Sequence, residues 1–269
     1  MMNLTFIIPT KIETEDRLRN IISSVSYLLK HIPAKIIVKE VSNHPTFKFR
    51  AIPEISKYAN TDNLTYLYEE TQESLFCKSK VLNDLIIAAD TEVVANYDAD
   101  CILPIESYYQ AYHTINQNHA DIVYPYACGV YQWKADFNDQ IYEEFVNTLD
   151  VSVLDKSKTL SNSTIGWTQF VNRKKYIDSY MMNENFVSWG CEDDEFYYRM
   201  SVLENRIARV ESYVYHLEHS RTHNSWFTNP NFNNNYRLWN EIKTFDKRKL
   251  IEYYENQDYI KNRREQILK

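Results

Sequence analysis

Segments that favour strands and segments that favour helices alternate through the first 120 residues of the chain. Short apolar, β-branched runs predict strands, and apolar residues spaced three or four apart predict helices. The predicted strands cover residues 4–9, 34–41, 63–68 and 92–97, and the predicted helices cover residues 15–30 and 79–89. Pro104 suits the first turn of a further helix. This alternation predicts an α/β, Rossmann-like fold in which helices cover both faces of a mainly parallel sheet.

The second half of the chain is less regular. Residues 121–126 and 206–216 predict two further strands, and the segment from Asn229 is rich in asparagine, then helical and mildly basic. No Pro-, Gly- or Ser-rich linker interrupts the 269 residues, which are enough for a substantial core. We therefore expect one domain over residues 1–225, followed by a helical C-terminal extension over residues 226–269.

The charge balance and the termini restrict the partners that we expect. The formal net charge of −7 argues against a nucleic-acid partner. No apolar run approaches the roughly 20 residues that span a bilayer, and the first residues lack the basic region of a signal peptide. The expected location is the cytoplasm, where the basic C-terminal segment would allow peripheral contact with the inner membrane face. The four cysteines form no Cys-x-x-Cys pair, which argues against a zinc site.

Asp98 and Asp100 follow directly on the predicted strand at residues 92–97. Ligands of open α/β sheets bind at the carboxyl ends of the strands, and paired carboxylates suit a hard divalent cation that also binds phosphates. An ordinary acidic loop is the alternative interpretation.

A run of four acids, residues 192–195, is framed by Trp189 and Phe196. Apolar residues at helical spacing follow it, so the acids would occupy the first turn of a helix, where the macrodipole favours negative charge. That position does not explain Trp189 and Gly190 just before the run. The chain has only three glycines, so Gly129, Gly166 and Gly190 are expected where a side chain does not fit.

Three histidines, His216, His219 and His223, fall within the segment YHLEHSRTH after a predicted strand. A neutral imidazole suits Mn²⁺ or Zn²⁺ better than Mg²⁺. An exposed turn without a metal is the alternative.

These motifs occur in an order that resembles a known family, the inverting GT-A glycosyltransferases that use UDP-sugars, in particular the β-1,4-galactosyltransferase and chondroitin-polymerase type. The resemblance covers roughly residues 4 to 225. The segments that carry it are FIIPTK (6–11), FCKSKVLN (76–83), YDAD (97–100), IGW (165–167), WGCEDDE (189–195) and HSR (219–221). It implies a GT-A fold whose nucleotide-binding half covers about residues 1–103 and whose acceptor half covers about residues 104–225.

The resemblance also implies a role for individual residues. The metal, Mn²⁺ or another divalent cation, would be held by Asp100 and His219, with His216 as the alternative ligand. Asp193 would be the catalytic base, and Glu192 would bind the acceptor. The residues implied in donor binding are Pro9, Thr10, Lys11, Glu40 at the uracil edge, Phe76, Lys78, Asp98, Trp189 and Gly190. The residues implied around the acceptor and the transferred sugar are Thr164, Gly166, Trp167 and Asp194.

The reaction implied is metal-dependent transfer of a hexose or N-acetylhexosamine from a UDP-sugar to a saccharide or lipid-linked acceptor, in surface-polysaccharide synthesis. The chain departs from the family pattern at Lys78, where arginine is usual, at Trp167, where a second glycine is usual, and at Cys191, where glycine or tryptophan is often found. Thr164 replaces a bulky aromatic residue, which would leave room for an N-acetyl group on the sugar.

Two other functions remain open at this point. A sugar nucleotidyltransferase would want a glycine-rich phosphate loop after the first strand, and PTKIETEDR contains no glycine. A non-catalytic sugar- or nucleotide-binding protein of the same fold would be favoured by loss of a catalytic acid or metal ligand, and none is visibly lost.

Overall fold

The computed structural model describes residues 1–161 and 164–267. Its strands are β1 (Leu4–Thr10), β2 (Lys35–Ser42), β3 (Leu64–Glu70), β4 (Val93–Tyr97), β5 (Cys101–Ile102), β6 (Ile122–Tyr124), β7 (Gln132–Ala135), β8 (Lys158–Leu160), β9 (Thr168–Asn172), β10 (Ile207–Arg209) and β11 (Val214–Leu217). Its α-helices are α1 (Glu15–His31), α2 (Ile52–Tyr58), α3 (Lys78–Ala88), α4 (Ile105–Asn116), α5 (Asp139–Thr148), α6 (Arg173–Asp178), α7 (Glu192–Val202), α8 (Phe232–Ile242), α9 (Lys247–Glu255) and α10 (Asp258–Ile267).

A seven-stranded sheet in the order β10-β6-β9-β4-β1-β2-β3 forms the centre of the protein. Its strand pairs are parallel except those made by β9, which runs antiparallel to β4 and β6. Every residue of β1 and β4 is buried, as expected of strands covered on both faces. The prediction of an α/β fold with a mainly parallel sheet is confirmed.

A second sheet of four short strands, in the order β5-β11-β7-β8, lies beside the first. Strand β11 pairs antiparallel with β5, so that His216 lies opposite Cys101. This pairing places the histidine segment next to the two aspartates that precede β5, although more than a hundred residues separate them in sequence.

The prediction of one continuous strand over residues 206–216 is wrong. The segment forms β10 at the edge of the large sheet and β11 within the small one. Between them Val210 donates its backbone N–H to Tyr124, and Ser212 accepts one from Ala127. These bonds turn the chain from one sheet to the other, a change of partner that an apolar pattern does not reveal.

The segment after residue 225, with its three helices, packs into the same core as the sheets. Its buried apolar side chains are Ile242, Phe245, Leu250, Tyr254 and Ile260. The rings of Tyr254 and Tyr180 stack with centroids 5.1 Å apart. Arg263 of α10 pairs with Glu184 at 2.9 Å and with Asp84 of α3. No helix within the described parts of the chain has both the length and the apolarity needed to cross a membrane.

A buried ion pair joins helix α7 to this C-terminal segment. Arg199 and Glu195 have fully buried side chains, and Arg199 Nε lies 2.8 Å from Glu195 Oε1. The Tyr254 hydroxyl donates to the same carboxylate. The guanidinium also donates to the carbonyls of Ser179 and Met181. All the charge is therefore compensated, and the fourth acid of the run is structural.

Because removing one partner leaves an uncompensated buried charge, Arg199→Met should lower the free energy of unfolding by about 3–5 kcal/mol. Urea denaturation measures this loss. The control is Lys247→Met, which removes an exposed pair with Glu204 and should cost no more than about 1 kcal/mol. Equal losses in the two variants would contradict the structural role of the buried pair.

Candidate active site

A cleft of about 420 Å³ opens where the carboxyl ends of β1 and β4 meet β11 and the start of α7. It collects the residues that the sequence motifs singled out, with the exception of Glu40, Gly190 and Asp194. Those that line it are Pro9, Thr10, Lys11, Phe76, Lys78, Asp98, Asp100, Thr164, Gly166, Trp167, Trp189, Glu192, Asp193, His216 and His219. All six segments that suggested the family resemblance thus contribute residues to the cleft.

Glu40 does not reach the cleft. Its side chain is fully buried and accepts hydrogen bonds from the backbone N–H groups of Thr46 at 3.1 Å and Phe47 at 3.0 Å. The Tyr66 hydroxyl donates to it at 2.7 Å. The expected position at a uracil edge is therefore corrected: Glu40 holds the turn that follows β2.

Gly190 and Asp194 also lie outside the cleft lining. Gly190 has a φ of +124°, and a Cβ there would lie 2.9 Å from a ring carbon of Phe232. The glycine therefore admits the aromatic ring of Phe232 on α8. Asp194 is exposed, because successive side chains at the start of a helix point in different directions.

Asp100, His216 and His219 form a cluster whose ligand atoms all lie within 4.8 Å of one another. Nε2 of His219 is 3.1 Å, and Nε2 of His216 is 3.6 Å, from the same carboxylate oxygen of Asp100. The expectation that one of the two histidines accompanies Asp100 is thus extended, since the structure brings both to it.

The outer hydrogen bonds of the two imidazoles decide which nitrogen faces the cluster. His216 Nδ1 lies 3.0 Å from a Glu218 carboxylate oxygen, and His219 Nδ1 lies 3.0 Å from the Ser220 carbonyl. Both partners only accept, so each Nδ1 carries a proton and each Nε2 faces Asp100, where it can hold a second proton or bind a metal ion.

Two lone pairs and a carboxylate at this distance repel one another unless a positive charge lies among them. Protons on the imidazoles would supply that charge, and so would a metal ion. Burial alone would raise the pKa of Asp100, but the imidazoles of His216 and His219 hold it well below its usual range, which keeps the carboxylate ionised. Two nitrogens and one carboxylate fit Mn²⁺, with further positions open for ligand oxygens.

Lys78, the first residue of α3, lies between two other acids of the cleft. Its Nζ is 2.8 Å from Asp98 and 3.9 Å from Asp193. Burial raises the pKa of Asp98 to about 6, against the opposing effect of Lys78. Asp98 therefore contacts an ammonium group and is separate from the metal-ligand cluster.

Asp193 is pressed against the backbone of the loop before β9. A Cβ placed on Gly166 would lie 2.0 Å from Asp193 Oδ2. Burial raises the pKa of Asp193 well above its usual range; the Lys78 ammonium opposes this shift, and the neighbouring acids Glu192 and Asp98 reinforce it. The carboxyl group is thus fixed in position and has a high affinity for a proton. Glu192 accepts the Gly190 N–H at 2.8 Å.

Several cleft residues were not predicted from the sequence. Arg17, Lys134 and Arg221 add positive charge to the walls. Asn224 joins separate loops, because its side chain accepts from Phe76 N at 2.8 Å and donates to Glu13 and to the Ser74 carbonyl. No motif assigned a role to these residues. Arg17 lies on α1 and Lys134 on β7, whereas Arg221 and Asn224 lie in the loop after β11, whose path is set by tertiary contacts.

Comparison with known families gives one match, over residues 156–220, to the model described as the N-terminal domain of galactosyltransferase. That stretch contains Gly166, the acidic run and both cluster histidines. No curated protein matches the chain.

Several solved glycosyltransferase structures share the fold. TarS of S. aureus (residues 1–349), in complex with UDP-GlcNAc, has 15% identity and a TM-score of 0.58 over 90% of this chain and 66% of that one. GalNAc-T7 with UDP, GalNAc and Mn²⁺ has 15% identity and a TM-score of 0.59 over 89% and 49%. The mannosyltransferase PcManGT from Pyrobaculum calidifontis, with GDP-Man and Mn²⁺, has 14% identity and a TM-score of 0.52 over 80% and 56%.

The chain has the GT-A glycosyltransferase fold. The resemblance predicted from the ordered motifs is confirmed. The chain spans less than two thirds of the length of these solved proteins, between 49% and 66% for the three described.

Proposed function

We propose that the protein is a metal-dependent inverting glycosyltransferase that moves a hexose or N-acetylhexosamine from a UDP-sugar to a saccharide or lipid-linked acceptor. One observation carries the proposal: a single cleft contains both the cluster of Asp100, His216 and His219 and the constrained carboxyl group of Asp193. Sugar transfer from a nucleotide needs both, a cation for the leaving diphosphate and a base for the acceptor.

The donor end of the cleft would take the nucleotide diphosphate. Asp100, His216 and His219 would hold Mn²⁺, which supplies Lewis-acid neutralisation of the leaving group. Lys78, Arg17 and Arg221 line the same cleft and add cationic donors for phosphate oxygens. The neighbours solved with Mn²⁺ and a nucleotide or sugar support this arrangement.

The acceptor end would supply the nucleophile. Asp193 takes the proton of the acceptor hydroxyl as that oxygen forms a bond to the anomeric carbon, and the bond from that carbon to the diphosphate breaks. One displacement from the opposite face inverts the anomeric centre. The high proton affinity that burial gives Asp193 suits this step. Glu192, beside it in the cleft, would orient acceptor hydroxyls.

The transferred sugar would contact the loop at Thr164 and Gly166, both of which line the cleft. Thr164 is held by Gln132, which exchanges two hydrogen bonds with its backbone at 2.8 and 2.9 Å. Its small side chain leaves space for an N-acetyl group, and TarS and GalNAc-T7 were solved with such sugars. We therefore favour an N-acetylhexosamine donor, in surface-polysaccharide synthesis at the cytoplasmic face of a membrane.

A metal-linked nucleotide site predicts that Mn²⁺ strengthens UDP binding by at least about tenfold, because the ion bridges the cluster and the diphosphate. Isothermal calorimetry with Mn²⁺ or with EDTA measures the gain. Asp100→Ala should abolish it, and His219→Ala should reduce it more than His216→Ala does.

The matched control is His113→Ala, since His113 is an exposed histidine on α4. It should bind UDP as the unaltered protein does. Equal UDP affinity with Mn²⁺ and with EDTA in the unaltered protein would reject the metal-dependent donor site.

The base proposal predicts that Asp193→Asn reduces sugar transfer by at least about a hundredfold and leaves UDP–Mn²⁺ affinity unchanged, because the base acts on the acceptor. Gly166→Ala should reduce transfer in the same direction, since a methyl group there displaces the Asp193 carboxylate. Transfer is measured as acceptor-dependent release of UDP.

Gly129→Ala provides the control for a glycine replacement, since nothing lies within 4 Å of a Cβ at that position. Its φ of +69° allows a small loss of stability but no effect on the cleft. Full turnover by Asp193→Asn would assign the base to another acid, with Glu192 the first to test.

A further inference from the structure

The asparagine-rich segment at residues 224–235, NSWFTNPNFNNN, has no role in the chemistry proposed above, yet it shapes the mouth of the cleft. It carries three aromatic side chains, and a fourth follows on α8. We call Trp226, Phe227, Phe232 and Tyr236 the aromatic ledge. Three of its members are unusually open, with exposed fractions of 46% for Trp226, 61% for Phe227 and 51% for Tyr236.

The ledge is continuous with the cleft through Trp189. Trp189 stacks on Trp226 with centroids 5.9 Å apart and on Phe232 at 5.7 Å. Phe232 in turn stacks on Tyr236 at 6.1 Å. Trp189 and Trp226 both line the cleft, so the row of rings starts beside Glu192 and Asp193 and ends on the outer surface.

Asparagine side chains fix the ledge to the loop that carries Trp189. Asn229 donates to the Trp189 carbonyl at 2.6 Å, and Asn235 donates to the Val187 carbonyl at 3.0 Å. Both asparagines are buried. Asn231 adds a third bond, to Val187 at 3.2 Å. These hydrogen bonds therefore fix the position of the ledge relative to Glu192 and Asp193.

The backbone of Trp226, which carries one of the exposed rings, is conformationally strained. Its φ is +65°, a conformation that bulky residues rarely adopt. Such strain persists only where surrounding contacts impose it, and it concentrates at binding sites. The Arg221 guanidinium lies 5.6 Å from the centre of the Trp226 ring, on the side of the cleft.

We propose that the aromatic ledge binds sugar units of the acceptor beyond the one that receives the transferred residue, so that the preferred acceptor is an extended saccharide. This inference rests on the proposed function. Flat apolar rings exposed next to a polar cleft match the apolar faces of pyranose rings, whose hydroxyl edges remain free for amides and water.

A membrane surface would be the other occupant of exposed aromatic residues. Docking to an anionic membrane requires clustered basic side chains. Near the ledge, Arg221 is close to Glu218, and Arg237 donates to Asn234. The chain as a whole carries a net charge of −7. The surroundings of the ledge therefore favour a carbohydrate over an anionic lipid surface.

The test uses N-acetylglucosamine and its β-1,4-linked oligomers of two to five units as probes. Calorimetry measures their affinity for the protein, with and without UDP and Mn²⁺. Affinity should rise by about tenfold or more from the monomer to the longest oligomer, as successive rings reach the ledge. In the double variant Trp226→Ala/Phe227→Ala the rise should fall below about threefold.

The matched control is Phe49→Ala, because Phe49 is 60% exposed and lies outside the cleft lining. It should keep the full dependence on length. Circular dichroism and an unchanged melting temperature would show that the double variant folds, and an unchanged UDP–Mn²⁺ affinity would show that its donor site is intact.

Equal length dependence in the double variant and the unaltered protein would overturn the proposal, as would failure of every oligomer to bind the unaltered protein. A membrane role would give a different result. The unaltered protein would co-sediment with vesicles of phosphatidylcholine and phosphatidylglycerol, the double variant would not, and both would show the same dependence of affinity on oligomer length. If affinity depends on oligomer length but Mn²⁺ does not strengthen UDP binding, the result contradicts the transferase proposal and leaves the saccharide-binding role of the ledge intact.

Discussion

The site depends on one electrostatic requirement: the carboxylate of Asp100 and the Nε2 lone pairs of His216 and His219 face one another and need a positive charge between them. The pairing of β5 with β11 imposes this arrangement, since it places His216 beside Cys101, the neighbour of Asp100. Glu218 and the Ser220 carbonyl fix the two rings from outside. The geometry of the proposed metal site therefore depends on backbone pairing and on the outer hydrogen bonds together, as is common for histidine ligands.

The four acids of the opening turn of α7 divide into separate tasks because a helix turns about 100° per residue. Glu192 and Asp193 face the cleft, Asp194 faces solvent, and Glu195 is buried against Arg199 and Tyr254. The last of these ties the helix that carries the proposed base to the C-terminal segment. Through α8 the same segment also supplies Phe232 and Tyr236, so the helices after residue 225 both support the cleft and extend it.

The elements that the sequence predicted well are those whose pattern depends on burial alone. β1, β2 and β4 are rich in apolar and β-branched residues because helices cover both faces of the sheet, and Asp98 and Asp100 could be placed because they follow such a strand. Strand β9 was not predicted. It begins with two buried polar residues, Thr168 and Gln169. Thr168 donates a hydrogen bond to the Asn96 carbonyl, and the Asn96 side chain donates one to Gln169. Likewise Glu40 and Gly190 take their roles from Phe47 and Phe232, partners that motif spacing does not reveal.

Electron–nuclear double resonance on Mn²⁺ bound to the protein with UDP tests whether a metal ion joins the Asp100 cluster to the donor diphosphate. We expect nitrogen couplings from two imidazoles together with phosphorus couplings from the diphosphate, and loss of one nitrogen coupling in each of His216→Ala and His219→Ala. A spectrum with phosphorus couplings but no imidazole nitrogen, or with water protons alone, would contradict the proposed metal site.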